Sequence, residues 1–258
     1  MKLLVVGSGE MGRWFGEVVA TELGDADVAF ADADPEVAES VAEAVGERWV
    51  SLSTDEQFDA VCVAVPIAAA DEVIERHAGK TERALLDVTG QMAGPVDAMA
   101  AVAPDRERVS LHPLFAAANA PGNVAVVTDE SGPVTDRVLD ALGSAGNRLV
   151  ETTPAEHDEA METVQAASHA AVLAFAHAAE DVPEGLTTPV FEDLSAVAEQ
   201  VTGNSPEVYA EIQATFDGAE RVADAAARLA DAEADEFERL YRDASARDRD
   251  GTDEGKER

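Results

Sequence analysis

Three groups of residues have the types and spacing to do chemistry. Gly7-Ser8-Gly9-Glu10-Met11-Gly12 directly follows the apolar run Leu3–Val6 and opens a helix-like stretch. At this spacing the first glycine permits a tight turn, the second lets the backbone approach a pyrophosphate, and the third allows close packing of helix on strand. The helix start then offers its unpaired N–H groups to the anion. Asp32 stands 20 residues beyond Gly12, at the end of the next apolar run, where a carboxylate can accept from the ribose hydroxyls of a dinucleotide. The second group is Ser110-Leu111-His112-Pro113. An imidazole at a strand end, with an ordinary pKa of about 6.5, suits the acceptance of a hydroxyl proton. The third is Glu156-His157-Asp158, followed along the same expected helix by Gln165 and His169. Gln165 and His169 are one turn apart and share a face. His157 precedes His169 by 12 residues, a rotation of about 120° at 100° per residue.

The elements that must position these groups divide the chain in two. From Lys2 to about Thr153, apolar runs alternate with helical stretches, the pattern of a parallel sheet. The expected strands are Leu3–Val6, Val28–Ala31, Trp49–Leu52, Ala60–Val65, Ala84–Val88, Arg108–Leu111, Val124–Thr128 and Arg148–Glu151. Helices are expected over Met11–Leu23, Pro35–Val45, Ala68–Ala78 and Val134–Ala145. Strand signals then stop. Thr153-Pro-Ala-Glu156 is a capping box with proline at the first helical position, opening a helix to about Glu180. Thr188-Pro189 and Ser205-Pro206 start two more, and a fourth runs from Ala219 to about Ala244. The expected organisation is a Rossmann-type, mostly parallel α/β domain over residues 1–152 and an all-helical domain over 153–245. The polar stretch 246–258 is expected to be disordered.

Composition narrows the partners. The chain has 258 residues, 53 acidic against 18 basic, and a net charge of −35. A surface this acidic repels nucleic acid and anionic membrane, so neither is an expected partner. The acid is spread along the whole length, which points to a solvated surface adapted to a salt-rich cytoplasm. No run approaches a membrane span, the N-terminus lacks a signal-peptide layout, and a cytoplasmic location is expected. The one cysteine, Cys62, lies in an apolar run and is read as inert packing. No metal site is indicated, and His77 and His177 have no chemical surroundings. Asp32-Ala33-Asp34 holds two carboxylates and no arginine, which favours NAD over a 2′-phosphorylated cofactor.

Taken together, the glycine loop continuing into Arg13-Trp14-Phe15, then His112-Pro-Leu-Phe115, then Ala155-Glu-His-Asp158 with Gln165 and His169, resemble the prephenate dehydrogenases of tyrosine biosynthesis. The resemblance runs from residue 1 to about residue 245. It implies NAD-dependent oxidative decarboxylation of prephenate to 4-hydroxyphenylpyruvate, with His112 engaging the ring hydroxyl. It also implies a homodimer formed through the helical C-terminal domain. Gly7, Gly9, Glu10, Met11, Gly12, Asp32, Val65 and Pro66 are the cofactor-binding residues on this reading, His112 and His157 the catalytic ones, and Thr89, Gln165 and His169 the substrate contacts. For His157 the alternatives are orienting His112, contacting ligand or tying the domains together; for His169 the alternative is core packing. Two features depart from the family pattern. Gly90 and Met92 stand where serine and lysine are common, and Glu192 stands where an arginine commonly meets a substrate carboxylate. Arg221 or Arg228 is the expected replacement for that arginine. A related dehydrogenase acting on arogenate or another hydroxy or amino acid, and a dinucleotide-binding protein without prephenate activity, are the alternatives.

Overall fold

A computed structural model describes residues 1–183 and 185–253. The first half is an eight-stranded sheet in the order β3-β2-β1-β4-β5-β6-β7-β8. Its strands are β1 (Lys2–Val6), β2 (Asp27–Ala31), β3 (Arg48–Trp49), β4 (Phe58–Val63), β5 (Thr81–Asp87), β6 (Glu107–Pro113), β7 (Asn123–Glu130) and β8 (Arg148–Glu151). The strands from β3 to β6 are parallel; β7 runs antiparallel to β6, and β8 parallel to β7. Between them lie α1 (Glu10–Leu23), α2 (Pro35–Val45), α3 (Ala70–His77), α4 (Ala93–Val102) and α5 (Pro133–Ser144).

Alternation along the central strands feeds two cores. Leu3 and Val5 join Trp14, Phe15, Val19, Val138 and Leu142 on one face, while Leu4 and Val6 join Ile74, Met99 and Ala103 on the other. Burial on both faces is the reason these strands are continuous apolar runs. The order reverses between β1 and β4, and the crevice at that reversal, beyond the strand ends, is where open α/β sheets bind ligand. The His112-bearing strand β6 lies further along the same sheet.

Eight strands form where the apolar runs lie, with one shortened and shifted: β3 is Arg48–Trp49, which shares only Trp49 with the expected Trp49–Leu52. Helix α4 begins Ala93-Gly94-Pro95, a breaker-like start that is compatible with a first helical turn.

Beyond β8 come α6 (Pro154–Met161), a π-helical turn (Glu162–Ala167), α7 (Ser168–Ala178), α8 (Pro189–Thr202), α9 (Pro206–Thr215), α10 (Ala219–Asp231) and α11 (Ala234–Asp253). The long helix expected from Thr153 is thus interrupted by the π turn, and the regular count of 100° per residue between His157 and His169 does not apply. The expected fourth helix is two, because Ala232 leaves the helical region at φ −69° and ψ 131° without a glycine or proline to signal it. Helix also continues to Asp253 where an unstructured tail was expected from Ala246; residues 254–258 lie outside the described residues. The first compact unit comprises Met1–Met161 with Ala210–Thr215, and the second Glu162–Tyr209 with Phe216 onward. The boundary falls after α6, not at residue 152, so His157 and Asp158 belong to the sheet-bearing unit. Among the described residues no helix is long and apolar enough to cross a membrane.

Candidate functional site

The glycine loop is shaped by backbone crowding. Gly7 has φ +101°, and a Cβ there would stand 2.1 Å from the Ala64 carbonyl oxygen; one on Gly12 would stand 2.0 Å from the Gly7 carbonyl oxygen. Neither position accepts a side chain without displacing backbone. Gly9, the residue preceding α1, faces open space, which leaves the helix N-terminus accessible to an anion. Asp32 lies at the end of β2 beside this loop. Its carboxylate accepts from Ser8 N–H at 2.7 Å and from Asp34 N–H at 3.0 Å. Each oxygen retains capacity for a further donor, as a ribose hydroxyl would be. Asp34 caps α2 through Glu36 N–H. Val65 Cγ1 lies against the Gly7 position, Pro66 is exposed just beyond it, and Met11 packs partly buried on the core. Glu10 is committed differently: its carboxylate accepts from Ala117 N–H at 2.8 Å.

The second cluster lies at the C-terminal end of β6. His112 is buried, and its Nδ1 lies 2.8 Å from Nε2 of His157, which is buried as well. His157 Nδ1 is in turn 2.8 Å from Asp158 Oδ1. The Asp158 carboxylate accepts from Met92 N–H at 3.1 Å and Ala93 N–H at 3.2 Å, at the start of α4. Burial opposes ionisation of Asp158, but the hydrogen bonds from His157, Met92 and Ala93 outweigh it and hold its pKa below the usual value. Burial, reinforced by repulsion from His157 and opposed by Asp158, pushes His112 down to about 3. The imidazole of His112 is therefore neutral at physiological pH and able to accept a proton. The three residues of the Glu-His-Asp motif divide their work. Glu156 closes the capping box, accepting from Thr153 N–H and Oγ1 while its own N–H donates to Thr153 Oγ1; His157 reaches His112 on β6, and Asp158 the start of α4.

The departures from the family pattern acquire physical reasons. A Cβ on Gly90 would lie 3.8 Å from His112 Nε2 but only 2.9 Å from Ile67 Cδ1, so a serine there requires Ile67 to move. Met92 is fully buried against Val96, Ala125 and Val127, an apolar setting that disfavours lysine. Thr89 donates to the buried Asp87 carboxylate or to the Gln91 carbonyl, which fixes its hydroxyl beside the end of β5. Glu192 accepts from Thr187 Oγ1 in the first turn of α8, where a negative charge complements the helix dipole. Arg221 pairs with Glu162 at 3.1 Å, and Arg228 lines a groove with Asp224, Asp231 and Glu236. In the helical unit His169 packs against Tyr209 with ring centroids 4.7 Å apart, and Gln165 sits half-buried in the π turn.

Sequence reasoning gave no role of their own to Asp158, Asp87 or Glu211. Asp158 was legible as the neighbour of His157. Glu211, whose carboxylate accepts from Ile67 N–H at 3.3 Å, is 144 residues away along the chain and carries no local signal. Among the described residues no group of three or more metal-ligating side chains gathers.

The sheet order, the glycine loop and the carboxylate closing β2 define a nucleotide-binding α/β protein of the dehydrogenase type. The pattern of the nucleotide-binding domain of prephenate dehydrogenase matches residues 20–129. The chain is 31% identical over 235 residues to the 4-amino-4-deoxyprephenate dehydrogenase of Streptomyces pristinaespiralis, covering 84% of this chain and 78% of that one. It belongs to the prephenate dehydrogenase family. Its fold is similar to that of the A. aeolicus prephenate dehydrogenase solved with hydroxyphenyl propionate and NAD+ (TM-score 0.71, 16% identity, 96% and 97% of the two chains covered). It is likewise similar to Synechocystis arogenate dehydrogenase (TM-score 0.64, 18% identity, 97% and 99% covered).

Proposed function

We propose that the protein catalyses the NAD-dependent oxidative decarboxylation of prephenate to 4-hydroxyphenylpyruvate, with His112 as the acceptor of the ring hydroxyl proton. The observation that carries this reading is the buried, neutral His112 at the end of β6. NAD, when bound, supplies the hydride acceptor. Gly7, Gly9 and Gly12 with the α1 N-terminus would hold its pyrophosphate, and Asp32 its adenosine ribose. Val65 and Pro66 would flank it.

His112 takes the hydroxyl proton as the ring carbinol is oxidised, and this drives carbonyl formation. Loss of the ring carboxylate as carbon dioxide then restores aromaticity and leaves a phenolate. The proton held by His112 returns to that oxygen, so the imidazole ends each turnover as it began.

Gln165 and His169 remain the proposed substrate contacts of the helical unit. We also infer a homodimer through that unit, because Leu186, Val190, Val208 and Tyr241 are each more than half exposed, an apolar load unusual for a lone surface. A salt-adapted surface is the reading for the net charge of −35.

A second reading is favoured by Glu192 and by the S. pristinaespiralis relative: a substrate carrying an amine, either arogenate or 4-amino-4-deoxyprephenate. An acidic helix start suits an ammonium group better than a carboxylate. Incubation with NAD and prephenate in molar salt tests the first reading. It expects NADH and 4-hydroxyphenylpyruvate in equal amounts; retained NAD binding without either product would overturn it.

A further inference from the structure

We propose that Asp158 is a positioning residue that sets the tautomer of His112 through His157. The inference rests on the reading of His112 as the proton acceptor but concerns a residue to which that reading gives no role. A neutral imidazole has one donor and one acceptor nitrogen, and the partner at one fixes the state of the other. Asp158 is held ionised by Met92 N–H, Ala93 N–H and His157, so its oxygens only accept. His157 Nδ1, 2.8 Å away, must therefore carry a proton, and in a singly protonated ring this makes Nε2 an acceptor. His112 Nδ1, 2.8 Å from that nitrogen, must then be the donor. This leaves the acceptor lone pair of His112 on Nε2, the nitrogen that faces the Gly90 position.

The chain of constraint begins in the backbone. The first N–H groups of α4 lack intrahelical partners, and Asp158 satisfies two of them. The carboxylate is thereby anchored to a rigid element, and its orientation passes through two rings to the reacting nitrogen. Once His112 takes a proton, its Nδ1–H bond to His157 also lets the Asp158 charge offset the imidazolium across the intervening ring. An asparagine in place of Asp158 loses the charge. Its NH2 group would meet a backbone N–H or, rotated, donate to His157 Nδ1 and invert both tautomers.

The test is two-dimensional 1H–15N NMR of the histidine rings in mildly alkaline buffer, without substrate. Five histidines keep the spectrum assignable, with His112→Asn and His157→Gln identifying the two resonance sets. The expected result is a proton on Nδ1 and an acceptor Nε2 for both His112 and His157. Asp158→Asn should shift His112 toward the Nε2–H form and lower kcat by about 10²-fold or more, with little change in the KM for NAD. A wild-type His112 protonated at Nε2 overturns the proposal, and this arm holds even where Asp158→Asn fails to fold. A folded Asp158→Asn protein with an unchanged tautomer overturns it too. A shifted tautomer with unchanged kcat would leave Asp158 in its positioning role and bring down the assignment of His112 as proton acceptor.

Discussion

In the sheet-bearing unit, β1 and β4 are buried on both faces, and Asp32, His112, His157 and Asp158 are each held by hydrogen bonds. In the helical unit, α7 and α10 contain no buried residue at all. Leu186 is 72% exposed, Val190 68% and Tyr241 67%. The first unit is self-sufficient, with its glycine loop, its ribose acid and its His112–His157–Asp158 chain held by contacts within the unit. The second has apolar surface that its own helices leave uncovered. Chemistry is therefore expected to reside in the first unit, and selection of substrate and partner in the second.

The contrast breaks most sharply at His112. His112→Asn should lower kcat by about 10²–10⁴-fold while NAD affinity stays near wild type. Steady-state kinetics with a separate NAD titration checks this, and a kcat within a few-fold of wild type would move the chemistry elsewhere. Asp32→Ala should do the reverse, weakening NAD binding by about 1.5–3 kcal/mol and narrowing the preference over NADP. Calorimetric titration with both cofactors reads it, and a wild type that prefers NADP would remove Asp32 from the ribose.

Salt should act on the whole surface. Carboxylate repulsion is screened within about 3 Å at molar salt, so the unfolding midpoint should climb steadily from dilute buffer to molar potassium chloride. A midpoint that stays level would end the salt-adapted reading.

The smallest effect is expected at Asp87, whose carboxyl burial raises to about 7, against hydrogen bonds from Thr89 that lower it. Its folded pKa lies above the unfolded value, so the folded state holds the extra proton. The resulting stabilisation is present in acid and lost as pH rises toward 7. Asp87→Asn should flatten that decline relative to wild type in thermal melts across the range. Parallel curves for the two proteins would show that the group ionises as it does in water.

Much of the first unit was legible because its constraints are local. An apolar run buried on both faces reads directly as a strand, and Gly7 and Gly12 announce a backbone approach that no other residue permits. His112 and His157 were each visible as motif residues. Their contact was not, because it joins positions 45 residues apart and depends on α6 folding back onto the start of α4. The hydrogen bonds of Thr89 to Asp87 and the Gln91 carbonyl were not legible either, because residue type alone does not show where a hydroxyl donates. The pairing of Arg221 with Glu162 likewise joins residues far apart in the sequence. The break between α10 and α11 and the π turn after α6 had no glycine or proline to mark them. Only packing reveals such features.

The most direct test of the account is a comparison of kcat/KM for prephenate, arogenate and 4-amino-4-deoxyprephenate, measured with NAD on the wild-type protein in molar salt. NADH formation is expected to be fastest with prephenate, accompanied by 4-hydroxyphenylpyruvate. Turnover of an amine-bearing substrate with none of prephenate would contradict the substrate assignment. It would also place the acidic start of α8, with Glu192, among the determinants of that choice.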